Sequence, residues 1–246
     1  MLSRLVTKVR NKYIDWVFGK PDLAKTFAAI ALEIATDRDR VFVQIGAGAG
    51  DCDPRASYRD GFTEFVKSFT LTATDTVILV EPNPLNLENL TLCWSRFPQA
   101  TIKNIGIVPS KLSGGKAKFY FASADAPHFQ VGSFVPEHVL QHYPDMETSE
   151  LQTVSVETVD LTSFIRLTVG SSEISVLSLD IEGFDADIIL GTDFDSLRVK
   201  YLSFEYIHLG KRASKVVKHL ERFGFVRIGY GIDYQGYDWL FKNRLR

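Results

Sequence analysis

The sequence predicts an α/β domain built on a mostly parallel central sheet. Three observations carry that prediction. Apolar runs of strand length alternate with amphipathic runs of helix length along the chain. Several of the apolar runs end on a carboxylate, and the last two strand-like segments lie close enough in sequence to close as an antiparallel hairpin. The 246 residues are 45% hydrophobic and 24% charged, which suits a single α/β domain with a substantial core.

Residues 21–36 read as a helix with Leu23, Phe27, Ile30 and Ile34 on one face. The first strand is Val41–Ile45, followed by a helix that repeats Tyr58, Phe62, Phe65 and Phe69 at helical spacing. The run "TVILV" is a second strand, closed by Glu81 and Pro82. A helix over residues 84–97 turns Leu87, Leu90, Trp94 and Phe97 inward, and "ATIKNIGIV" is a third strand. The rhythm then changes: "GGKAKFYFA" and "LQTVSVETV" alternate like paired strands around a long irregular stretch, residues 122–150, that holds Pro127, Pro136 and Pro144. Long loops in compact domains are commonly functional lids. Asp160 starts a short helix, "ISVLSLD" is a buried strand, "KYLSFEY" another, and a helix over residues 211–223 precedes the closing pair "FVRIGYGI" and "GYDWLFKN". The expected organisation is an N-terminal helical segment, 1–40, packed on a domain spanning 41–246 that carries a loop-and-hairpin insertion at about 114–158.

A net charge of −2 points away from a nucleic-acid partner. Cys52 and Cys93 are too few for a disulfide framework or a cysteine zinc site, which fits a reducing, cytoplasmic setting. No apolar run approaches the roughly 18–20 residues that cross a bilayer. Oligomeric state is not readable from the sequence.

The stretch "VFVQIGAGAG" breaks from a strand into three alternating glycines and then Asp51. In an open parallel sheet, ligands bind beyond the carboxyl ends of the strands. Asp51, Glu81, Asp180 and Glu205 each follow directly on an apolar strand, where a lone buried carboxylate is costly. Together they define one expected crevice. Dinucleotide folds want G-x-G-x-x-G with an acid about 20 residues on, whereas here the glycines alternate and Glu81 lies much farther along. A carboxylate ending the second strand suits the two hydroxyls of a ribose.

At this point the residues resemble a family. "VFVQIGAGAGDCDP", "VILVEPNPLNLENL", "VSVETVDLTSFI", "SVLSLDIEGFDADIIL" and "YLSFEYIHL" are similar to successive blocks of the FkbM-like S-adenosylmethionine-dependent methyltransferases, in family order over about residues 41–209. The resemblance implies a class I methyltransferase fold: a Rossmann-like three-layer sandwich around a seven-stranded, mostly parallel sheet whose last strand is antiparallel. It also implies S-adenosyl-L-methionine as cofactor. On that reading Gly46, Gly48 and Gly50 line its methionine end, Glu81 holds the ribose, Asn104 and Ile105 flank the adenine, and Asp180 sits beside the transferable methyl. Relatives often carry Asn and Asp at the positions of Gly48 and Ala49, which shifts polar contacts toward Asp51 or Asp53. Oxygen is the implied methyl acceptor, on a small molecule, glycan or lipid-linked compound.

A hydroxyl nucleophile must lose its proton to a nearby base. Asp180, Glu205 and His208 are the catalytic candidates, with His208 having the ordinary pKa suited to that task. Asp180 and Glu205 are also oxygen donors of the kind that hold a divalent cation such as Mg²⁺. His128, His138 and His142 match no recognised zinc spacing and are expected as exposed loop histidines, which touch substrate if that loop is a lid. Glu182 and Gly183 are expected to have a structural part, Gly183 allowing a sharp turn, and Asp185 is placed either to cap a helix or to serve the site. Tyr230, Tyr234, Tyr237 and Trp239 offer either a stacking wall or hairpin packing. The rival functions are a nicotinamide-dependent oxidoreductase, which calls for a parallel final strand, and a cofactor-binding module without turnover.

Overall fold

The structure is a computed structural model that describes residues 30–50, 60–231 and 236–246. The expected helix over 21–36 therefore lies partly outside the described residues, of which 30–34 are helical. In chain order the remaining elements begin with β1 (Val41–Ile45), α1 (Gly61–Lys67), β2 (Thr76–Val80), α2 (Leu87–Trp94), β3 (Ala100–Lys103) and β4 (Gly106–Ile107). Next come β5 (Lys116–Phe121), β6 (Gly132–Ser133), α3 (Pro136–His142), β7 (Gln152–Val159) and α4 (Leu161–Thr168). The chain closes with β8 (Ile174–Leu179), α5 (Asp185–Gly191), β9 (Val199–Glu205), α6 (Ala213–Arg222), β10 (Phe225–Tyr230) and β11 (Asp238–Asn243).

Seven strands form the central sheet in the order β10-β11-β9-β8-β1-β2-β3. From β9 through β3 every pair is parallel, while β11 runs antiparallel to both β9 and β10. This is the class I methyltransferase arrangement, with the final strand inserted in reverse beside β9. Alternation along β1 explains the three layers. Val41, Val43 and Ile45 join one apolar cluster with residues of α4, α5 and α6, while Phe42 joins another with Phe62, Phe65, Leu90 and Trp94 of α1 and α2. Both faces are thus covered, as a parallel sheet requires. Each large apolar side chain so buried contributes roughly 1.5–3 kcal/mol, which outweighs the modest strand preferences of single residues.

A buried ion pair sets the entry to the sheet. Arg40 Nη2 lies 2.6 Å from Asp75 Oδ2, and the Arg40 N–H donates to Asp75 Oδ1 at 2.9 Å. Burial alone would raise the Asp75 carboxyl, but the hydrogen bonds from Arg40 and Thr72 hold it down to about 2. The start of β1 and the turn before β2 are thereby fixed to one another.

Two local expectations are corrected. The run "ATIKNIGIV" is two strands rather than one: β3 ends at Lys103, and β4 pairs with β7 in a separate four-stranded sheet ordered β4-β7-β5-β6. The break falls at Asn104, whose Nδ2 donates to the carbonyls of Glu81 at 2.9 Å and Pro82 at 3.0 Å. Within the long irregular stretch, α3 forms because Val139 packs with Ala122 and Leu151 in a small apolar cluster of its own. The outer sheet and α3 stand over the carboxyl ends of the central strands, where Phe119, Phe134 and Ser133 border the same cleft as Gly46 and Asp180. Among the described residues, no helix is long and apolar enough to cross a membrane.

Candidate functional site

Strand order reverses between β1 and β8, and a cleft of about 420 Å³ opens at their carboxyl ends. Strand ends are tied together there. The N–H groups of Gly46 and Ala47 both donate to the Val80 carbonyl at 2.9 Å, and the Asp180 N–H donates to the Ile45 carbonyl at 2.9 Å.

The three glycines serve three different needs. Gly46 has φ +84°, and a Cβ there would lie 1.8 Å from the Asp180 carbonyl oxygen, so β1 and β8 approach too closely for any side chain. Gly50 has φ +68° and faces helix α2, where a Cβ would meet Cys93 at 3.0 Å. Gly48 differs: its φ is +55°, yet nothing lies within 4 Å of its missing Cβ, and it lines the cleft. Of the alternating glycines, Gly46 and Gly48 border the cleft, and Gly50 faces away toward α2.

Glu81 is buried at the tip of β2. Its Oε2 accepts the Gly48 N–H at 2.8 Å, and its Oε1 accepts the Asn83 N–H at 2.7 Å and Asn86 Nδ2 at 3.3 Å. Burial outweighs these bonds and raises the carboxyl to about 7. Oε2 keeps acceptor capacity beyond its single recorded bond.

Asp180 and Glu205, from the ends of β8 and β9, meet as expected. With Glu182 they place one carboxylate oxygen each within 4.8 Å of the others. Asp180 is solvent-accessible because it lines the cleft, but protein otherwise surrounds it. Burial first, and then Glu182, Asp185, Asp238 and Asp60, raise its pKa well above the usual carboxylate range. Glu205 is raised in the same direction by burial and by Asp180, and its buried Oε2 has no hydrogen-bond partner. Asp185 is likewise raised to about 7 by burial and Glu182. It does not cap its helix; Phe184 holds the cap position, and Asp185 Oδ1 accepts the Ile181 N–H at 3.3 Å.

Five carboxylates line the cleft: Asp60, Glu81, Asp180, Glu182 and Glu205. Among the described residues no Lys or Arg lines it. A positive charge placed there would meet acidic groups and no described Lys or Arg. Asp60 is held as the N-cap of α1, accepting from Phe62 and Thr63 N–H groups at 3.2 Å and from Gln44 Nε2 at 3.1 Å. The outer sheet and its loops add an apolar part of the lining, with Phe119, Phe129, Val131 and Phe134, beside the polar Gln130 and Ser133.

Two of the three loop histidines depart from expectation, while His142 is exposed as expected but sits on a helix. His138 is 5% exposed, and His128 is 8% exposed, so neither is an exposed loop residue. His138 and His142 stand one helical turn apart on α3, and His138 Nε2 bonds Glu182 Oε2. The His208 ring lies 4.7 Å from that of His138, and its Nε2 is 3.4 Å from Glu205 Oε2. Of the terminal aromatics, only Tyr237 among the described ones lines the cleft. Trp239 stacks on Tyr206 with centroids 4.7 Å apart, Tyr230 is buried beside them, and Tyr234 is outside the described residues.

The structure thus brings Gly46, Gly48, Glu81, Asp180, Glu205 and His208 to one cleft. Asn104 and Ile105 are not among its lining residues; Asn104 instead fastens the turn after β2, and Ile105 packs on the core. Asp51 and Asp53 lie outside the described residues. Of the other lining residues, sequence reasoning passed over Gln44 and Asp60, gave Glu182 only a structural part, and tied His142 to the cleft only through a lid. Asp60 had a readable signal, an acid before an apolar helical run.

The Methyltransferase FkbM domain matches residues 44–227. Among solved structures, precorrin-6y C5,15-methyltransferase from Geobacter metallireducens is similar at 14% identity and a TM-score of 0.37, over 83% of this chain and 72% of that one. Fibrillarin from Aeropyrum pernix, in complex with S-adenosyl-L-methionine, is similar at 11% identity and a TM-score of 0.40, over 87% and 72%. A spermidine synthase bound to the transition-state analogue AdoDATO gives 13% and 0.41, over 91% and 59%. No curated protein sequence gives a significant match.

Proposed function

The chain belongs to the FkbM methyltransferase family, and from that premise we propose that it moves a methyl group from S-adenosyl-L-methionine to an oxygen of a small molecule, sugar or lipid-linked acceptor. One observation carries the reading furthest: the cleft gathers five carboxylates with no Lys or Arg among its described lining residues. Such a lining favours a cation over an anion. When bound, the cofactor supplies a methyl group already activated on a positively charged sulfonium, and its α-ammonium adds a second positive charge.

The residues divide the work. The Glu81 carboxylate takes the ribose hydroxyls through the acceptor capacity left on Oε2. Gly48, bare of any side chain and facing open space, lets the backbone approach the ligand. Asp180 and Glu205 hold the positively charged end, and the charge they meet there draws their pKa values back down. The Phe119, Phe129 and Phe134 wall keeps water from the reacting pair. His208 takes the acceptor's proton, with Glu205 Oε2 beside it to balance the imidazolium. A hydroxyl held in line then needs no further activation by the protein.

A nicotinamide-dependent oxidoreductase is disfavoured on two counts. The last strand is antiparallel, and no described cation lines the cleft to meet a pyrophosphate. Calorimetric titration tests the choice: S-adenosyl-L-methionine is expected to bind and NADH is not. Binding of NADH with no response to S-adenosyl-L-methionine would overturn the reading.

A further inference from the structure

Three of the chain's five histidines meet beside the cleft, together with Glu182, and of these His142, His208 and Glu182 line it. His138 and His142 come from α3, Glu182 from the turn after β8, and His208 from the turn after β9. Their ring centroids are 4.7, 5.4 and 6.1 Å apart, and one donor atom from each of the four residues lies within 4.8 Å of the rest. We propose that His138, His142, His208 and Glu182 form a binding site for a zinc-class transition-metal ion. Neither the fold nor the methyl-transfer reading requires such a site.

The donor chemistry selects the ion. Three imidazoles and one carboxylate suit Zn²⁺, Co²⁺ or Ni²⁺, whereas Mg²⁺ and Ca²⁺ take oxygen ligands. Zinc–nitrogen bonds of about 2.0–2.1 Å in a tetrahedral site put donors roughly 3.4 Å apart, so the ion draws the present set together modestly. The fixed edge is the buried His138, bonded to Glu182 Oε2. Exposed His142 and half-buried His208 have the freedom to close on it. Glu182 is also held in an uncommon backbone conformation, with φ +22°, that turns its side chain back toward α3. Gly183 follows with φ +102°, its missing Cβ 3.4 Å from the His138 ring, so the turn passes close beneath the helix.

An ion there joins three segments that are far apart in sequence, fastening α3 to the ends of β8 and β9. In the loaded protein His208 is a ligand, so the proton-accepting role assigned above belongs to the metal-free form.

The test uses the untagged full chain, stripped with a chelator and titrated with Co²⁺. One equivalent is expected to develop the visible absorption of four-coordinate cobalt, and Zn²⁺ to displace it. His142→Ala and His208→Ala are each expected to weaken binding at least ~10-fold, since even groups that merely orient a metal ligand are worth about 10–100-fold. Glu137→Ala, on the same helix and exposed, is expected to bind as the parent does. Absence of the cobalt spectrum, or equal binding by the His142 and His208 variants, would overturn the site. Cofactor titration of the same samples separates the two readings, because cofactor binding without metal binding removes only this one.

Discussion

The Gly48 N–H donates to the Glu81 carboxylate at 2.8 Å, so the turn after β1 and the tip of β2 hold each other in place before any ligand arrives. Glu81 thus has one duty inside the protein, and the proposed function gives it a second toward the ligand.

Glu81→Ala removes both. Affinity for S-adenosyl-L-methionine is expected to fall by roughly 1.5–3 kcal/mol, the scale of a hydrogen bond to a charged group. Calorimetry on a variant shown to be folded provides the check; unchanged affinity would take Glu81 out of the binding site.

Gly46 and Gly48 separate structure from binding. Gly46→Ala drives a Cβ to 1.8 Å from a backbone oxygen at positive φ, and is expected to abolish soluble folded protein. Gly48→Ala meets open space and is expected to cost only about 1–2 kcal/mol of left-handed backbone strain. Soluble yield and, for whatever folds, thermal unfolding decide this; a folded Gly46 variant melting like the Gly48 variant would contradict the assignment.

The carboxyl cluster makes a signed pH prediction. Glu81 and Asp185 are raised from their ordinary values to about 7, and Asp180 and Glu205 are raised as well. Groups raised in the folded state bind more protons there than in the unfolded chain. Their contribution to stability is complete below the unfolded pKa, near 4, and is lost as pH climbs toward 7 and beyond. Glu33 and Asp75, where hydrogen bonds overcome burial and hold each at about 2, have already given their full contribution above that range. The ligand-free protein should therefore melt lower at pH 7 than at pH 5. A rising or flat melting temperature across that window would count against the raised values. Binding of a cationic ligand should also release protons, seen as a calorimetric enthalpy that varies with the ionisation enthalpy of the buffer.

His208→Ala, assayed in the presence of a chelator, is expected to lower kcat by about 10²–10⁴ while leaving cofactor affinity nearly unchanged. Near-normal turnover would return His208 to a purely structural part. Glu205→Gln should lower kcat in the same sense by leaving the imidazolium without its neighbour.

Much of this site was legible because strand ends are legible. Glu81, Asp180 and Glu205 each terminate an apolar run, and a parallel sheet sends the ends of such runs to one edge. The antiparallel close was readable from the short spacing between "FVRIGYGI" and "GYDWLFKN". The distinct duties of Gly46 and Gly50 were not, because they depend on which neighbour comes near, the Asp180 carbonyl or Cys93. Glu182 was hidden for a similar reason. Its meaning rests on His138, 44 positions away, and only the packing of α3 brings them together. The one-turn spacing of His138 and His142 was a signal in plain view, but it needed α3 to be recognised as a helix inside a proline-containing stretch.

Among the described residues, the outer sheet shares no backbone pairing with the central one. Its strands β5, β6 and β7 pair among themselves and with β4, and they carry the phenylalanine wall on a frame of their own. A substitution that reshapes this wall therefore need not disturb the register of the central strands that present Gly46, Glu81 and Asp180.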